Sequence, residues 1–138
     1  MAIKETAGHI GLLLLRVAIG SFMLVHGWQK LTAFNEMADT FPDPIGIGSR
    51  LSLISAIGAE LGCSLFLVIG LGTRLAAIPL AFTMIVALFV VHGADPWQKK
   101  ELAAVYLSVY AVLVCTGAGQ FSLDYFLRTK SRKPRVSD

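Results

Sequence analysis

The sequence predicts an all-α integral membrane protein built as a bundle of four transmembrane helices. Three observations carry this reading. The 138-residue chain is 55% hydrophobic, with a mean hydropathy of +0.68. Only 15% of its residues are charged, against about 25% in an ordinary soluble domain. The apolar residues also gather into four runs close to the roughly 20 residues needed to cross a hydrocarbon core.

The first span covers residues 10–28 and the second residues 51–71. The third covers residues 75–92, with Pro79 in its first turn, where a missing N–H is tolerated. The fourth, residues 102–117, is the shortest and reaches its length only by extending to Glu101 and Gly117. Gly70–Leu71–Gly72–Thr73–Arg74 reads as a tight turn between the second and third spans, with glycine stopping one helix and Thr73 capping the next. Asp95–Pro96 separates the third from the fourth. The connection at residues 29–50 reads as an interfacial loop: Phe34, Met37 and Phe41 recur at helical spacing, and a rigid Phe41–Pro42–Asp43–Pro44 turn follows. Residues 1–127 thus form one membrane domain and residues 128–138 a basic tail. No cleavable signal peptide is expected, because the first apolar run is too long and leads into Trp28–Gln29–Lys30 without a small-residue cleavage site.

Charge sets the expected orientation. The net charge of +3 resides in the tail, where Arg128, Lys130, Arg132, Lys133 and Arg135 crowd together. Basic residues beside a final span mark a cytoplasmic segment and attract anionic lipid headgroups, which argues against a nucleic-acid partner. An even number of spans then places both termini in the cytoplasm. Cys63 and Cys115 both lie in apolar segments outside any CxxC pair. They are expected to be packing residues, with neither a disulfide framework nor a metal site.

An internal echo joins the first and third spans. Val25–His26–Gly27–Trp28–Gln29–Lys30 recurs as Val91–His92–Gly93 and Trp97–Gln98–Lys99, with Ala94–Asp95–Pro96 inserted. The pattern fits two parallel helical hairpin repeats, which would set His26 and His92 at matching depths near the outer surface.

Two groups of residues carry the expected chemistry. An ionisable side chain inside a span costs roughly 2.5–3.5 kcal/mol on insertion scales, so it normally has a partner. Counting along the helices puts Arg16 about 9 Å and Glu60 roughly 16 Å from the inner boundary. An intramembrane Arg16–Glu60 pair is therefore expected, with Gly20 and the Gly58-to-Gly62 surface letting the helices approach. The second group is an outer cluster of His26, Lys30, His92, Lys99, Glu101 and Tyr106. His26, His92 and Glu101 are the catalytic candidates, able to exchange protons near neutral pH. With Lys30 and Tyr106 they could surround a quinone head group, whose carbonyls become hydroxyls on reduction. Two axial histidines could instead hold a haem, the less favoured cofactor because no other haem-attachment signal is present. Trp28, Trp97, Lys30 and Lys99 also read as an ordinary interfacial belt.

The ordered set of motifs resembles the DoxX family of small four-span membrane proteins. The resemblance rests on Leu14–Leu15–Arg16 in the first span and His26–Gly27–Trp28–Gln29–Lys30–Leu31 closing it. It continues through Glu60 with Gly62, Gly70–Leu71–Gly72–Thr73–Arg74, and Gly117–Ala118–Gly119–Gln120–Phe121–Ser122–Leu123–Asp124. It covers residues 11–124. Ala118 stands where relatives often have proline, a change that alters a turn. The family implies a four-helix membrane fold associated with redox metabolism, as subunits of quinone-linked oxidoreductases or membrane partners of sulfur and oxidative-stress enzymes. Its commonly filled positions match Arg16, Lys30, Glu60 and Arg74 here. The leading expectation is a quinone-interacting redox subunit in the bacterial plasma membrane, with protein partners in a redox complex and room for a homo-oligomer. The alternatives are a non-catalytic assembly or anchoring subunit and a small-solute or proton carrier using Glu60.

Overall fold

The computed structural model describes residues 2–131. Four long helices dominate it: α1 (Ala2–Thr32), α3 (Ser49–Ile69), α4 (Thr73–Val91) and α5 (Trp97–Thr116). Two short helices complete it, α2 (Phe34–Met37) after α1 and α6 (Leu123–Ser131) after α5. Among the described residues there is no strand. Helices α1, α3 and α4 are long and apolar enough to cross a membrane. Helix α5 has the length, at 20 residues, but Lys99, Lys100 and Glu101 occupy its first turns.

Packing follows chain order. α1 lies against α3, α3 against α4, and α4 against α5. Met23, Leu67, Ala77, Leu80, Tyr110 and Leu113 form the centre of the core. The outward faces are apolar as well: Leu14, Phe22, Phe82 and Phe89 are exposed, and Leu75 is 75% exposed. In water such a surface would drive aggregation; in a bilayer it faces the solvent it matches.

The Gly70–Arg74 turn ends α3 with Gly70 in the left-handed region (φ 73°). Residue Gly72, not Thr73, precedes α4 as its N-cap, and it supplies no side-chain cap. The capping oxygens come from far along the chain: the Asp124 carboxylate accepts Gly72 N–H at 2.8 Å and Thr73 N–H at 3.3 Å. A local sequence rule cannot find a cap delivered from such a distance. The connection after α1 forms only one helical turn, and Phe34, Met37 and Phe41 pack on Ala38, Leu53 and Ile57 of their own chain.

Two helices carry wide π turns, Gly58–Cys63 in α3 and Ala87–Val91 at the end of α4. Such turns rotate the side chains beyond them and are frequent at functional sites. The two copies of the echoed motif differ structurally: the first runs unbroken through α1, and the second is split, with His92 just past α4 and Trp97 starting α5.

Both termini of the described chain lie at one end, which is called the terminal end below. The opposite, loop end carries the 33–48 and 92–96 connections. In the tail, Arg128 and Lys130 sit in the last turn of α6, while Arg132, Lys133 and Arg135 lie outside the described residues.

Candidate functional site

A cleft of about 440 Å³ opens at the loop end. α1 contributes Met23, His26 and Lys30 to its lining, α5 contributes Lys99 and Tyr106, and the connection before α3 contributes Phe41, Pro42, Pro44, Ile45 and Ile47. Glu60, on the π turn of α3, is only 2% exposed. Lys30 donates to both of its carboxylate oxygens, at 2.5 and 2.6 Å. Two short charge-assisted bonds to one carboxylate are what make a charge tolerable at this depth.

The expected Arg16–Glu60 pair does not form, and the register of α1 against α3 explains why. A Cβ on Gly27 would lie 3.0 Å from the Glu60 Cβ and closer still to Leu61. Gly27 is thus the point of close approach, and Glu60 sits at its level. Arg16 is roughly 16 Å further along α1 at 1.5 Å per residue, while Lys30 is one turn beyond Gly27 on the other side. Counting each helix from an assumed membrane boundary missed this offset, because α1 continues to Thr32. The glycine surface is also corrected. Gly58 and Gly62 face open space, and Gly20 and Gly27 of α1 make the close contacts.

Arg16 instead closes the terminal end. Its Nη1 donates to the Ala118 carbonyl at 2.9 Å and its Nη2 to the Phe121 carbonyl at 2.7 Å. Any side chain at Gly70 would collide with this guanidinium and with Ser122. Arg74 reaches the Cys115 carbonyl. Asp124 interacts electrostatically with Arg16, and its own N–H bonds to the Gly70 carbonyl. Ala118 therefore lies in the loop that Arg16 holds.

The structure brings His26, Lys30, His92 and Tyr106 to the same cleft. His26 meets Tyr106 edge to face, with ring centroids 5.9 Å apart. His92 contacts the Asp95 carboxylate through Nδ1 at 2.8 Å. That bond, reinforced by Lys99 and Lys100, holds the Asp95 carboxyl below its ordinary range. Glu101 is not part of the arrangement: it is exposed on α5 and absent from the cleft wall. One turn earlier on the same helix Trp97 is also exposed, so the helical period turns Glu101 outward with it. Cys63 and Cys115 are both free thiols.

Sequence reasoning missed three contributors. Asp95 was visible only as a turn residue, although a carboxylate three places after a histidine is in reach of it. Asp43 was read as part of a rigid turn. Its carboxylate accepts from Ile47 N–H, Gly48 N–H and the Ser52 hydroxyl. Those bonds, Gly48 N–H foremost, hold its carboxyl below the ordinary range and tie the 41–48 segment to the start of α3. Ile45 and Ile47 form part of the cleft wall beside Phe41, and neither isoleucine belongs to any periodic pattern in the sequence.

Chemically the cleft offers two ammonium groups and a phenol as hydrogen-bond donors, two imidazoles able to donate or accept, and a carboxylate that fixes the Lys30 ammonium. Its remaining walls are mainly apolar. Such a site can receive carbonyl oxygens of a lipophilic molecule. Among the described residues no three His, Cys, Asp or Glu side chains converge to hold a metal ion.

The fold and cleft define a helical membrane protein with a polar site set into an apolar wall. The chain belongs to the DoxX family, whose model matches residues 11–93. It is 32% identical over 129 residues to a Bacillus subtilis (strain 168) protein named "Putative oxidoreductase CatD", covering 93% of this chain and 95% of that one. Two Haemophilus influenzae proteins, each named "Uncharacterized protein", are also similar. One is 28% identical over 73% of this chain and 70% of its own; the other is 30% identical over 80% and 85%. No solved structure matches the chain.

Proposed function

We propose that this protein is the quinone-binding membrane subunit of a DoxX-type oxidoreductase system, with the loop-end cleft receiving the quinone head group. The observation that carries this reading is the Lys30–Glu60 pair, set beside His26 and Tyr106 in a largely apolar cleft. A bound quinone supplies a two-electron, two-proton acceptor. Lys30, held by Glu60, and the Tyr106 hydroxyl are placed to donate hydrogen bonds to its carbonyl oxygens. His26 can hand on a proton, and His92, oriented by Asp95, stands nearer the mouth. A relative named as an oxidoreductase supports the redox assignment. The site has no need of Glu101.

The reading places the chain in a bacterial plasma membrane with the terminal end in the cytoplasm, supported by Arg128 and Lys130 on α6. A reporter active only outside the cytoplasm should be silent after Val136 and active near Asp43; the reverse pattern would invert the assignment. The functional test is quinone-analogue binding to the purified protein. Lys30→Met should weaken binding by about tenfold, the loss of one charge-assisted hydrogen bond, whereas Glu101→Gln should bind like the parent. A parent protein that binds no quinone sinks the proposal, and the anchoring-subunit reading then takes its place.

A further inference from the structure

The cleft is open on its side as well as at its mouth. The outer half of α3, up to Ile57, packs against α1 but makes no substantial contact with α4; the two helices meet closely only from the Gly58–Cys63 turn onward. Ser55, Ala56 and Ala59 of α3, the last within that turn, and Pro79, Phe82 and Thr83 of α4 line the cleft on the two sides of this gap. Phe82 is 54% exposed on the lipid-facing surface, so this part of the wall is continuous with the membrane face. The lining is small or apolar here. Even Thr83 presents little polarity, because its hydroxyl donates to the Pro79 carbonyl at 2.9 Å. Glu60 directly follows Ala59 on α3, while Lys30, His92 and Lys99 line the cleft toward the loop end. Along α4 the wall runs from Pro79 to His92, roughly 20 Å at 1.5 Å per residue, which is too long for a head group alone.

We infer that the gap between α3 and α4 is a lateral portal through which an amphiphile enters from the bilayer, its carbonyl-bearing head at Lys30 and its hydrocarbon tail between Ala56 and Phe82. The inference rests on the proposed head-group site and adds the class of ligand: a molecule with a long apolar tail. A water-soluble substrate would not need an apolar opening toward the bilayer. An amphiphile uses it, because the tail remains among apolar neighbours while the head reaches the donors of α1 and α5.

The portal is tested by narrowing it. Binding of a decyl-substituted quinone analogue and of its tail-less counterpart is measured for the parent, Ala56→Phe, and Ala111→Phe as a control of equal added bulk at an exposed position outside the cleft. Overfilling the portal should weaken the decyl analogue by about tenfold, with tail-less binding and the control unchanged. Equal losses for both analogues would overturn the portal while leaving the head-group site standing. If Ala56→Phe does not fold, Thr83→Phe narrows the same gap from the other wall. If the parent binds neither analogue, the quinone reading falls, and the portal is judged by photolabelling with a diazirine-bearing long-chain alcohol. Enriched labelling of residues 55–59 and 79–83, lost in the narrowed variant, supports it. Uniform labelling of every lipid-facing surface overturns it.

Discussion

At the terminal end, Arg16 is enclosed by backbone: two carbonyls of the 117–122 loop accept its hydrogen bonds, Gly70 leaves space for its guanidinium, and Asp124 caps α4 beside it. At the loop end, Lys30 and Glu60 satisfy each other and still border a cleft of about 440 Å³. Both ends bury charge inside a span. One uses it to fasten a loop that has no helix to hydrogen-bond it. The other keeps it next to open space, where a ligand can reach it. A buried charge in a membrane span is therefore not one signal but two, and its partner tells them apart. Here the main-chain partners belong to a clamp, and the side-chain partner beside a cleft belongs to the proposed site.

The largest expected effect comes from breaking the clamp. Arg16→Ala removes two charge-assisted bonds and leaves two carbonyls unpaired, so unfolding stability in detergent should fall by about 3–5 kcal/mol. Cleft binding should be weakened only in so far as the fold is lost. A next effect, about 2 kcal/mol, is expected for Glu60→Gln, smaller because the Lys30 it strands is 24% exposed and can turn toward water. A double-mutant cycle sharpens the contrast: Lys30 and Glu60 should couple strongly, whereas Arg16 and Glu60 should add within about 0.5 kcal/mol. Strong Arg16–Glu60 coupling would contradict the register described here.

Asp124→Ala should cost about 1–2 kcal/mol, as loss of a charged helix cap does, read by chemical denaturation. Wild-type stability after this change would mean that the loop is held by Arg16 alone. The smallest effect concerns Asp43. Its folded carboxyl titrates below the ordinary value of 3.8 because Gly48 N–H, with Ser52 and Ile47, bonds the charged form. The latch it forms is complete above that ordinary value and is lost as pH falls through the lower folded value. Hydrogen exchange across residues 41–48 should accelerate only in that acid range, and Asp43→Ala should show the fast exchange at neutral pH. Unchanged exchange in the variant would show that packing of Phe41 holds the segment instead.

Much of the fold was legible because lipid imposes a coarse and strict rule: a span must be apolar and helical along its whole length. Composition therefore located the apolar spans, and the Gly70 stop could be read from residue type. His26, Lys30, His92 and Tyr106 were legible as neighbours because helix ends near one membrane face are near each other. Glu101 was misplaced by the same logic, since closeness along a helix says nothing about which face it occupies.

What the sequence by itself determined is a helical membrane chain with a few ionisable residues too costly to be left unpartnered. Only the tertiary structure decided the partners. The choice between Arg16 and Lys30 for Glu60 depends on the register of two helices, fixed where Gly27 lets α1 approach α3. That contact is non-local, and a shift of one or two turns leaves every local pattern intact. The cap on α4 likewise comes from Asp124, far along the chain. Hydrogen-bonding need is written locally, residue by residue, but the group that answers it is chosen by packing.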